Sequence, residues 1–142
     1  ATVIWSYPRG EAITKDGETA IDIAAYAAQI AALIGAHIIK IKLSTDHLML
    51  PEAKKVYEAK GIDIADQAKR VAHCMQASFN GRRIVVFSGG AAKGADAVYD
   101  DARAIRDGGG NGSIIGRNSF QRSREEALDM LGKLVDIYLG KA

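Results

Sequence analysis

Gly35-Ala36-His37-Ile38-Ile39-Lys40-Ile41-Lys42-Leu43 is the stretch that decides the fold. A short, isoleucine-rich apolar run, entered from a helix that ends at a glycine, predicts a buried strand. Side chains alternate along a strand. Lys40 and Lys42 therefore share one face with Ile38, and Ile39, Ile41 and Leu43 take the other. A lysine inside a sheet is paired or used. Two of them, roughly 7 Å apart at about 3.3 Å rise per residue, disfavour each other's charge. Desolvation acts in the same direction, and together they free an amine as a nucleophile. One reading is a Schiff-base lysine. The other is an edge strand whose lysines deter aggregation.

Working outward, Thr2 to Tyr7 reads as a strand closed by Pro8, which has no N–H for a ladder. A polar loop, Arg9 to Glu18, leads to a helix over Thr19–Ile34, with Thr19-Ala20-Ile21-Asp22 as a capping-box-like start and Gly35 as its C-terminal cap. Beyond the lysine strand lies a polar insertion, Ser44 to Asp63, with a short helix over Glu52–Ala59. A helix over Ile64–Phe79 ends at Asn80-Gly81. Arg83 to Phe87 is a second apolar strand running into Ser88-Gly89-Gly90. Gly94 to Arg106 is a helix, broken by Gly108-Gly109-Gly110. Gly112 to Gly116 is a short strand running into Arg117-Asn118. Ser123-Arg124-Glu125-Glu126 is a full capping box that opens a last helix to about Leu139.

The order is βα four times over, without a hairpin signal, which predicts an α/β layer of parallel strands. Strands so apolar are expected to be covered on both faces. Four such units make a small open sheet or half of an eight-fold barrel. The polar groups favour the barrel: chemistry sits at strand C-terminal ends, and phosphate binds after strands seven and eight. The last two strands end in Ser-Gly-Gly and Gly-Arg-Asn, which offer free backbone N–H groups before helices. Tyr7 ends the first strand and Lys40 lies on the second. Numbered five to eight, these strands place every polar group where a barrel needs it.

Bulk properties bound the partners. The 142 residues, 48% apolar and 25% charged with a net charge of +2, describe one soluble domain with no strong case for nucleic acid or an anionic membrane. A single cysteine, Cys74, excludes an internal disulfide framework and fits a reducing, cytoplasmic compartment. It lies mid-helix and reads as a buried, inert thiol. His37, His47 and His73 lack metal-ligand spacing and read as structural or solvated; no metal is expected. Arg122 to Glu126 reads as charged helix surface. Trp5 and Tyr7, taken alone, fit core aromatics as well as a site. The chain opens inside a strand and is expected to be a piece of something longer.

Four motifs, Trp5-Ser6-Tyr7-Pro8-Arg9-Gly10, Gly35 to Lys42, Phe87-Ser88-Gly89-Gly90 and Ile115-Gly116-Arg117-Asn118, together resemble the DhnA-type class I fructose-bisphosphate aldolases of bacteria and archaea. The resemblance covers essentially the whole chain and matches the second half of a TIM barrel; Ser44 to Asp63 is similar to the bacterial subgroup. It implies that Lys40 forms the Schiff base, that Tyr7 is the acid/base catalyst and that Trp5 lines the pocket. Ser88, Gly89, Gly116 and Arg117 match the site for a substrate phosphate. Lys42 is expected to depress the Lys40 pKa and to attract phosphate. The covalent imine replaces any cofactor. The family's aspartate near the end of the first barrel strand has no counterpart here. The activity implied is reversible cleavage of fructose 1,6-bisphosphate in glycolysis and gluconeogenesis. Alternatives are a related Schiff-base aldolase or transaldolase-like enzyme on another phosphorylated ketose, or a non-catalytic sugar-phosphate-binding half barrel. Two open sheet edges and an uncovered inner face predict association with a second copy or with the other half.

Overall fold

A computed structural model describes all 142 residues. Four strands, β1 (Val3–Trp5), β2 (Ile38–Lys42), β3 (Ile84–Ser88) and β4 (Ser113–Ile114), form one parallel sheet in the order β1-β2-β3-β4. The connections carry α1 (Ile21–Leu33), α2 (Pro51–Lys60), α3 (Gln67–Ala77) and α4 (Ala95–Asp107); β4 is followed by a single turn, α5 (Arg117–Phe120), and by α6 (Arg124–Tyr138).

The strands are parallel and consecutive because each return passes through a helix. β2 lies between β1 and β3, with Lys40 in register with Trp5 on one side and Val86 on the other. The edge-strand reading of the two lysines is therefore ruled out.

Alternation along the strands sorts the two faces. Ile39, Ile41, Val85 and Phe87 are buried against α1, α3 and α4. Each such side chain stabilises the fold by about 1.5–3 kcal/mol relative to exposure. Ala24, Ala28, Ala31 and Ala32 join the same core, and their small side chains let α1 lie close on the sheet. A smaller core joins α4 to α6 through Val98, Tyr99, Met130, Leu134 and Ile137. The opposite sheet face is open: Val3, Trp5, Ile84 and Ile114 are exposed. Within this chain the strands are thus covered on one face only, because every core contact of the helices falls on the other.

The starts of α6 and α1 are held in different ways. Ser123 and Glu126 make the reciprocal capping box at α6. At α1 no side chain caps the first turn. Asp22 instead accepts from the backbone amides of Met49 (3.1 Å) and Leu50 (2.9 Å), pinning the segment before α2 onto α1. No helix is long and apolar enough to cross a membrane.

Candidate active site

The C-terminal ends of the four strands open into one cleft of about 900 Å³. Each strand sends its terminal residues there: Tyr7 follows β1, Lys40 and Lys42 end β2, Ser88 ends β3 with Gly89 behind it, and Gly116 and Arg117 follow β4; all of them line the cleft. Trp5 is not part of that wall. It stands exposed on the open sheet face, with the Lys40 Nζ 4.9 Å from its ring centre. A core role for Trp5 within this chain is thereby excluded.

The two lysines differ in their surroundings. Lys40 is half-buried on an interior strand and has no carboxylate partner; the Trp5 ring is its neighbour. Lys42 Nζ lies 2.9 Å from Glu18 Oε2 and 5.8 Å from the Tyr7 ring centre. Glu18 also receives Lys15 at 3.1 Å and Arg9 at 3.5 Å. Hydrogen bonds from Lys42, then from Lys15, pull the Glu18 carboxyl down from 4.5 to about 2. Lys42 is thus not a bare like charge beside Lys40, as its strand position alone suggests. Nothing in the polar loop Arg9 to Glu18 marks Glu18 as its partner, since the two are brought together across 24 residues of sequence.

The glycine loops are tied to each other. Asn118, almost fully buried, donates through Nδ2 to the carbonyls of Gly89 and Ala91, both at 3.0 Å, and accepts through Oδ1 from the Lys93 amide at 2.8 Å. Arg117 Nη2 donates to the Gly90 carbonyl at 2.9 Å. Arg122 donates to the Asn118 carbonyl at 2.7 Å and to the Lys93 carbonyl at 2.8 Å. Arg122 is therefore a bridge between loops and not mere helix surface. The amides of Gly90, Ala91 and Ala92 make no hydrogen bond within the chain. Gly89 leaves little room for a side chain: a Cβ there would sit 3.3 Å from Asn118 Nδ2.

Groups read as structural hold their places away from the cleft. His37 Nδ1 accepts from the Thr2 amide. His73 Nε2 and the Tyr57 hydroxyl lie 2.6 Å apart, and burial lowers the imidazole pKa. Burial pushes the Cys74 thiol up to about 12. No group of three or more His, Cys, Asp or Glu side chains is arranged to hold a metal ion.

Residues 1–122 match the family model described as DeoC/LacD family aldolase. The "Probable fructose-bisphosphate aldolase class 1" of Chlamydia muridarum is 31% identical over 153 residues, covering 98% of this chain and 43% of that protein. Among solved structures, an archaeal fructose 1,6-bisphosphate aldolase superposes with a TM-score of 0.73 at 29% identity, covering 97% of this chain and 44% of its own. A second archaeal structure, with the catalytic lysine covalently bound to the carbinolamine intermediate of the substrate, gives 0.72 at 28% identity, covering 96% and 44%. The chain thus spans less than half the length of the relatives it matches, and its four-stranded sheet corresponds to half of their TIM barrel.

Proposed function

This chain belongs to the DeoC/LacD family of aldolases, and we propose that it carries the Schiff-base half of a class I fructose-bisphosphate aldolase, with its strands as barrel strands five to eight. The observation that carries the reading is an unpaired lysine on an interior strand, opening into the same cleft as Tyr7 and two glycine loops with free amides.

In this reading the Lys40 amine attacks the C2 carbonyl of the ketose, giving a carbinolamine. Loss of water gives an iminium, which draws the electron pair of the C3–C4 bond as that bond breaks. Tyr7 takes the C4 hydroxyl proton, and glyceraldehyde 3-phosphate leaves. The enamine is then protonated at C3 and hydrolysed to dihydroxyacetone phosphate, restoring the amine. The imine is the electron sink, so the step calls on no cofactor. Ser88, Gly89, Gly116 and Arg117 hold one phosphate, with the amides after Gly89 beside them. Arg9, Lys15 and Lys42 share a single carboxylate, Glu18. The surplus positive charge suits a phosphorylated substrate. Trp5 sets its ring beside the Lys40 amine on the inner face. The single cysteine, buried and unpaired, suits a reducing, cytoplasmic compartment, and the reaction so proposed is one of glycolysis and gluconeogenesis.

The surface supports the half-barrel reading. The first and last main helices each carry an exposed apolar stripe: Tyr26, Ile30 and Leu33 on α1, continued by Ile34 just past its end, and Leu128, Leu131 and Val135 on α6, continued by Leu139 just past its end. Within the layer, α1 packs on β2 and α3, and α6 on α4 and α5. Stripes of this kind mark surfaces that pack against another element. We assign them, with the open inner face, to four further βα units, supplied by the same polypeptide or by a second copy.

The family model names aldolases more broadly, and this favours one second reading, a Schiff-base aldolase for another phosphorylated ketose. Assay of the chain joined to the other four units against a panel of ketose phosphates separates them. Preferred cleavage of fructose 1,6-bisphosphate supports the first reading; preference for another ketose supports the second, and phosphate-dependent binding without cleavage refutes both.

A further inference from the structure

We propose that Asn118 is the positioning residue of the anion site, holding the loop Gly89–Lys93 in the one shape that turns its amides toward a phosphate; this rests on the phosphate reading above. In a trans peptide the carbonyl of one residue and the N–H of the next point in opposite directions. The carbonyls of Gly89, Gly90 and Ala91 are all engaged by side chains following β4, namely Asn118 and Arg117. Their partner amides, on Gly90, Ala91 and Ala92, are therefore turned away from the donor atoms Asn118 Nδ2 and Arg117 Nη2, and all three lack an acceptor within the chain, while these residues and Arg117 alike line the cleft. Successive free N–H groups of this kind form an anion-binding concavity.

Asn118 suits the task by its donor and acceptor set. Its amide uses both N–H donors on the two carbonyls and its oxygen on the Lys93 amide. An aspartate of the same shape has no donor for the carbonyls and would set a charged oxygen against them. Arg122 secures the far end by joining the Lys93 carbonyl to the Asn118 carbonyl. The side chain is almost fully buried, so water does not replace it freely. Asn118 touches the loop and not the ligand, and its effect is carried by backbone geometry.

The test titrates inorganic phosphate into the whole chain by NMR, reading the shifts of the Gly90, Ala91 and Ala92 amides and their heteronuclear NOE values. Asn118→Asp should weaken phosphate binding by about tenfold or more and lower the NOE values of this loop, with the α1 amides unchanged. Should that variant not fold, Arg122→Gln is read the same way and should weaken binding by about threefold. Wild-type phosphate affinity and unchanged NOE values in the variant that folds would overturn the proposal. A wild-type chain that binds no phosphate counts against the phosphate reading. The NOE values then judge the clasp alone: loss of loop order in Asn118→Asp upholds it, and unchanged order refutes it.

Discussion

Lys42 and Glu18, 24 residues apart in sequence, meet at 2.9 Å at the wall of the cleft, and the same carboxylate gathers Lys15 and Arg9. The pair gives the protein a defined acid response. Its ordinary carboxyl value of 4.5 falls to about 2 in the folded chain. Between these values the unfolded chain binds a proton that the folded chain does not. The stabilisation is fully present above about pH 4.5 and is lost as the pH falls toward 2. Glu18→Gln should therefore flatten this part of the stability profile in urea titrations from pH 2 to 7. An unchanged acid limb would show that the pair does not stabilise the fold.

Asp22 should matter more for stability than its place in an alanine-rich helix suggests. Its buried carboxylate accepts from two backbone amides of the α1–α2 connection. Asp22→Ala leaves both amides without a partner and should cost about 2–3 kcal/mol; Asp22→Asn keeps one acceptor and should cost about 1 kcal/mol. Equilibrium urea unfolding measures both, and a loss below about 0.5 kcal/mol for the alanine variant would contradict the contact's role.

The placement of these two carboxylates marks where sequence legibility ends. The β2 lysines, the burial of Ile39 and Ile41 and the Ser123–Glu126 box follow from short periodicities within one element, and they were readable. Asp22 beside Thr19 satisfies a local capping pattern, yet two amides 27 and 28 residues away compete for the same oxygens and win. Glu18, Asn118 and Arg122 acquire their partners only when separate loops meet at the strand ends. Trp5 is also instructive: its strand position is legible, but its exposure depends on what covers the inner face. The one-turn α5 is too short to leave a periodic signal.

Two glycines should respond oppositely to alanine. At Gly108 a Cβ would lie 2.4 Å from the Ala68 carbonyl oxygen and 2.6 Å from Val71 Cβ. Gly108→Ala should thus destabilise by about 1–3 kcal/mol. Gly132 lies within α6 with open space around it, and Gly132→Ala should stabilise by about 0.5–1 kcal/mol. Thermal unfolding of the two variants tests both signs, and equal shifts would contradict the packing at Gly108.

Cys74 should be silent in the folded state. Its sulfur is buried, and desolvation holds the thiol pKa near 12. At pH 8 a disulfide reagent should label it no faster than the chain unfolds, and fully in denaturant. Rapid labelling under native conditions would place Cys74 at a mobile surface and contradict the core described.

We propose Lys40, and not Lys42, as the nucleophile. The most direct measurement of this is peptide mapping after borohydride reduction in the presence of fructose 1,6-bisphosphate, on the chain joined to the other four βα units. A reduced adduct on Lys40, absent from a Lys40→Met variant, is the predicted result. An adduct on Lys42, or none at either lysine, would contradict the account.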